Sequence, residues 1–172
     1  MTTINGLPAH VLLVHAIVVL LPLCALLLVL TALWAPARRR LAGPNALLAL
    51  VVVALVPITT SAGEWLERRV ASTDLIRAHT ELGDTALVVA IGVAVMVLVV
   101  WWRGREIGYP AAASGDANRR TFLAPASTAV TVVVAVLSIV AGGIAVYDVY
   151  RIGDSGAKAS WDGKVASAPP SR

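Results

Sequence analysis

Asn5-Gly6-Leu7-Pro8-Ala9-His10-Val11-Leu12-Leu13-Val14-His15 opens a stretch that stays apolar to Ala35, interrupted only by His15 and Pro22 beyond its first turn. That is about 25 residues, more than the roughly 20 a helix needs to cross a bilayer, so the stretch reads as a membrane span. It has no basic segment before it, is too long for the apolar part of a signal peptide, and is followed by Arg38-Arg39-Arg40 instead of small residues. It is therefore expected to stay in the protein. Two histidines in its first turns stand out, because an ionisable side chain at membrane depth is costly and marks a functional hypothesis.

The composition agrees with a membrane class. Of 172 residues 58% are hydrophobic and 14% charged, and the mean hydropathy is +0.82, far from the balance of a soluble domain. The net charge of +4 does not imply nucleic acid, since the arginines flank apolar spans, where orientation bias and lipid headgroups account for them. The lone cysteine, Cys24, lies among leucines and reads as a small apolar filler.

Four apolar segments follow one another: Val11 to Ala35, Ala46 to Ala62, Thr85 to Trp102 and Ser127 to Val146. With polar flanks, the spans extend over about 8–35, 45–63, 75–103 and 125–150. No strand-like alternation is present and open sheet edges cannot face lipid, so the fold class is all-α: a polytopic membrane protein built as a four-helix transmembrane bundle. The lipid bilayer is its first partner. Residues 153–172 are expected to form a tail, with Gly153 and Gly156 turning the chain back across the surface and disorder over Ala166 to Arg172.

Orientation rests on the basic residues. Arg38, Arg39 and Arg40 follow the first span and Arg103, Arg105, Arg119 and Arg120 follow the third. These mark the cytoplasmic side, which leaves both termini extracytoplasmic in a bacterial inner membrane. Lys and Arg divide evenly between the two sides, so the asymmetry across the first span carries the assignment. Acids are less evenly spread: Glu64, Glu67, Asp74, Glu81, Asp84, Asp148, Asp154 and Asp162 share the outer side with all three histidines.

Local signals add detail. Ser72-Thr73-Asp74 offers an N-cap for a third helix beginning near Leu75, which would turn His79 toward the bundle and pair Arg77 with Glu81. Asp148 and Arg151 are spaced for an ion pair. Ser138 and Gly142, with Gly143 beside them, form a small-residue face that a neighbouring helix can approach, either within the bundle or in a membrane-protein partner or homo-oligomer.

Leu7-Pro8-x-His10 with Val14-His15, His79-x-x-x-Gly83, and Tyr150-Arg151-x-Gly153-x-x-Gly156 together resemble a bacterial "predicted membrane protein" family of unknown function whose members carry a four-helix domain. The resemblance spans nearly the whole chain. It departs after the second histidine, where the family's usual Phe-Pro is replaced by Ala16-Ile17.

Three functions compete. A haem b site would use His10, His15 or His79 as ligands on facing helices. At 1.5 Å per residue, His15 and His79 are offset by about 15 Å along the bundle and His10 and His79 by roughly 7.5 Å. A divalent metal or proton site would draw on His10, His15, His79, Glu64, Asp84 and Asp148, although no compact ligand spacing is present. The broadest reading is a non-enzymatic structural or partner-binding protein, with His15 as a hydrogen-bonded core histidine. No nucleophile and base fall together, and the spans contain no internal repeat.

Overall fold

The computed structural model describes residues 3–4, 6–108 and 127–163; residues 109–126, with Arg119 and Arg120, and the expected tail from residue 164 lie outside the described residues. Apart from a two-residue antiparallel ladder, β1 (Thr3–Ile4) on β2 (Leu7–Pro8), the fold is helical. The helices are α1 (Ala9–Leu33), α2 (Ala35–Glu67), α3 (Asp74–Gly83), α4 (Thr85–Gly108) and α5 (Thr128–Trp161). Four spans, with α3 and α4 counted as one, are long and apolar enough to cross a membrane. Helix α1 packs on α2 and α5, and α4 packs on the same two, closing a four-membered ring; α3 leans on α5.

Small side chains let the helices approach. Cys24, Ala25 and Leu28 of α1, Val52 and Val56 of α2, Val93 and Val97 of α4 and Ala145 of α5 fill the core. Outward residues are equally apolar, as with Val132, Val133, Val136, Val140 and Ile144 of α5. An apolar periphery is what lipid requires, so association inside the bundle depends on close packing and hydrogen bonds more than on hydrophobicity.

Several expectations are corrected by packing. Only Trp34 separates α1 from α2, so Arg38, Arg39 and Arg40 stand on the first turns of a helix, not in a loop. Pro36 permits this, because a proline in the first turn lacks only an N–H that has no intrahelical partner. Ser138 and Gly142 are buried within the bundle, and a Cβ on Gly142 would lie 3.2 Å from Val29 Cγ2 and 3.5 Å from the Ala25 carbonyl oxygen. That face is used by α1, leaving Gly143 on the surface. Gly153 and Gly156 do not turn the chain: α5 continues to Trp161, and Gly163, at φ 69°, follows its C-cap. Among the described residues Arg77 pairs with Asp74 instead of Glu81. Arg151 lies over the Tyr147 ring, while Asp148 turns inward. Thr73 does cap α3, accepting from the Ile76 N–H at 3.2 Å.

Candidate functional site

The up-and-down order collects Arg38, Arg39 and Arg40 on the first turns of α2 and Arg103 and Arg105 near the end of α4 at one end of the bundle, and the histidines at the other. At the arginine end, Arg38 Nη1 donates to the Thr31 and Ala32 carbonyls at 3.1 Å each, closing the last turn of α1. Its stem fills the space beside Gly104. Arg103 is buried and donates to Thr131 Oγ1 at 2.7 Å. Arg105 lies over the Trp101 ring, whereas Arg39 and Arg40 are exposed. These contacts are structural, and they anchor helix ends.

At the histidine end α1 brings His10 and α3 brings His79 into an edge-to-face pair, with ring centroids 6.5 Å apart and planes inclined by 77°. Each ring is held from behind. His10 Nδ1 is 3.0 Å from the Thr59 carbonyl oxygen, which can only accept, so Nδ1 carries the proton. His79 Nδ1 is 2.9 Å from Ser155 Oγ, whose own proton goes to the Ile152 carbonyl at 2.9 Å, so here too Nδ1–H donates. In the neutral form each imidazole therefore keeps Nε2 as the lone-pair nitrogen. Each also rests on a glycine: a Cβ on Gly63 would come within 2.9 Å of the His10 ring, and one on Gly156 within 2.9 Å of the His79 ring.

The two rings line a mainly apolar cleft with Val14, Ile17, Thr59, Ala86 and Asp148. Asp148 is 5% exposed. Its Oδ1 lies 2.8 Å from Thr85 Oγ1, but that hydroxyl is also 2.7 Å from the Leu82 carbonyl, so one proton serves two acceptors. Asp148 Oδ2 is buried with no hydrogen-bond partner among the described residues. No Lys or Arg among the described residues pairs with it.

The other sequence candidates stand apart. His10 and His15 are five residues apart, about 140° around a helix, and cannot share a face. His15 is exposed and bonds back to the Val11 carbonyl at 2.5 Å. Glu64 is exposed and lies 4.0 Å from Arg68, and Asp84 is exposed at the junction of α3 and α4. Among the described residues no group of three or more His, Cys, Asp or Glu side chains is arranged to hold a metal. Reading the sequence missed Thr59, Gly63, Thr85 and Ser155, and took Gly156 for a turn. A glycine inside a helix with no turn to make was the available signal.

Fold and site together define a multi-pass membrane protein with a histidine pair at one end of a four-helix bundle. The chain belongs to the family described as Predicted membrane protein (DUF2231), which matches residues 6–169. No curated protein and no solved structure matches it.

Proposed function

We propose that this is a non-enzymatic, metal-binding protein of the bacterial inner membrane, in which His10 and His79 would hold one metal through Nε2. The observation that carries the reading is the 6.5 Å centroid separation. Two imidazoles sharing one ion at metal–nitrogen distances of about 2 Å would have their centroids about 5–6 Å apart, so the spacing of this pair is compatible with a shared ion. The anchored Nδ1–H groups support it further, since ligating histidines ordinarily donate their other nitrogen and so hold tautomer and orientation. Imidazole nitrogens would suit haem iron or a bare transition-metal ion. Arg38, Arg39 and Arg40 at the start of α2 and Arg103 and Arg105 near the end of α4 favour the histidine end, and with it both termini, lying outside.

The test is the visible spectrum of the detergent-purified protein, oxidised and reduced, with metal analysis of the same sample. A Soret band that shifts on reduction and disappears in both His10→Ala and His79→Ala identifies haem iron. A colourless preparation with one metal per chain, lost in both variants, identifies a bare ion. Metal-free, colourless protein purified under conditions that retain cofactors overturns the reading.

A further inference from the structure

We infer that Arg103 and the first turn of α5 form a site for a phosphate group, carried by an anionic phospholipid headgroup or free in solution. The site lies at the opposite end of the bundle from the histidine pair and does not depend on the reading of that pair.

Two arginines at this end already face favourable partners. Arg38 donates to the Thr31 and Ala32 carbonyls at the end of α1, where the helix dipole favours a cation. Arg105 stands in the last turn of α4 with its guanidinium over the Trp101 ring. Arg103 is placed in the opposite way. Its side chain is 5% exposed, and its Nη2 reaches across from α4 to Thr131 Oγ1 at 2.7 Å, one turn into α5. That is the positive end of a 34-residue helix with no acid in its first turn. The nearby Arg38 charge adds repulsion. No acid among the described residues pairs with Arg103, and its Nε is buried with no hydrogen-bond partner among them. A buried cation held against a positive helix end is unfavourable on both counts. An anion seated between the two turns both interactions attractive.

The donors such an anion needs are present. Ser127 takes the Val130 N–H on its Oγ and the Thr131 N–H on its carbonyl, each at 3.2 Å, which leaves the N–H groups of Thr128 and Ala129 without a partner among the described residues. Both residues are exposed. A guanidinium with one N–H on Thr131 has several left, and guanidinium with helix N-terminal amides is a donor set that matches phosphate oxygens. A lipid carrier is supported by the rest of α5, whose Val132, Val133, Val136 and Val140 are exposed. Acyl chains would run along this apolar face from a headgroup at its N-terminal end, as in basic headgroup pockets between membrane helices.

The experiment titrates the full chain in detergent with phosphatidylglycerol and with phosphatidylcholine, whose headgroup has no net charge, and reads bound lipid by native mass spectrometry. Thermal unfolding is followed in parallel in sodium phosphate and in sodium chloride at equal ionic strength. Wild type is expected to prefer phosphatidylglycerol, and Arg103→Gln to lose about 10- to 100-fold of that affinity, the range for a hydrogen bond to a charged group. Thr131→Val keeps the charge and releases it from α5, so it should lose a smaller factor. The double variant Arg39→Ala/Arg40→Ala, which removes exposed charge, should lose less than Arg103→Gln. A melting temperature raised by phosphate over chloride in wild type but not in Arg103→Gln identifies free phosphate as an occupant; phosphatidylglycerol binding without that rise identifies the lipid headgroup. No preference for phosphatidylglycerol together with no phosphate effect overturns the inference. So does a folded Arg103→Gln that binds as wild type does, or a larger loss in the double variant than in Arg103→Gln. Should Arg103→Gln fail to fold, Thr131→Val decides, and wild-type affinity in that variant overturns the inference.

Discussion

Gly156 packs against the imidazole of His79, so close that a Cβ would stand 2.9 Å from the ring's Cε1, whereas Gly153 one turn earlier on α5 has no atom of the described residues within 4 Å of its own Cβ position. The two glycines therefore respond oppositely to the same change. Gly153→Ala should stabilise by about 0.5–1 kcal/mol through helix propensity. Gly156→Ala must displace a hydrogen-bonded ring, at a cost of about 1–3 kcal/mol that outweighs the propensity gain. Thermal unfolding followed by circular dichroism in detergent checks both; a higher melting temperature for Gly156→Ala would contradict the seat.

Ser155 sets the tautomer of His79. Ser155→Ala removes the acceptor for Nδ1–H and frees the ring to rotate, with little effect on the helix, since alanine is a good helix former. The expected outcome is a 10- to 100-fold loss of affinity at the histidine pair, the order found when outer-shell partners of metal ligands are removed. Equilibrium titration of the variant beside wild type measures it.

Thr73 caps the short helix that carries His79. Thr73→Ala should cost about 1 kcal/mol, and Thr73→Ser should retain most of the cap. Because α3 has only 10 residues, the loss should appear locally, as faster amide exchange over residues 74–83 with the cores of α1 and α4 unchanged. Hydrogen exchange with mass spectrometry reads this directly.

Arg38 and its neighbours separate structure from orientation. Arg38 closes the last turn of α1 through two carbonyls, so Arg38→Ala should destabilise by about 1–3 kcal/mol, the range for hydrogen bonds from a charged donor. The exposed Arg39 and Arg40 should each cost within about 0.5 kcal/mol on replacement by alanine. Melting temperatures of the three variants give the comparison.

The proposed orientation places the carboxyl terminus outside. A reporter active only in the cytoplasm, fused after Arg172, should be silent, and one active only outside should give signal. The reverse pattern would put the histidine end on the cytoplasmic side.

Much of the architecture was legible from residues alone because the properties that specify it are local. Hydropathy over about 20 residues decides whether a segment can span, and Thr73 caps α3 through a contact three residues away. Other local signals misled. Arg38 to Arg40 fall between the expected spans 8–35 and 45–63, yet they belong to a helix that opens at Ala35 and Pro36. Gly156 looked like a stop because its role is visible only from α3.

What the sequence by itself determined is the all-helical, four-span fold; from it follows the expectation that His10, His15, His79, Glu64, Asp84 and Asp148 gather at one end. Only the tertiary structure decided that His10 meets His79, that His15 faces away, and that Asp148 is buried with one oxygen unpartnered among the described residues. The reason is geometric. A helix turns about 100° and rises 1.5 Å per residue, so which side chains meet depends on the rotation and axial slide of each helix against its neighbours. Those are set by contacts between residues far apart in the chain, such as Gly142 on Val29 and Gly156 on His79, and no local pattern encodes them.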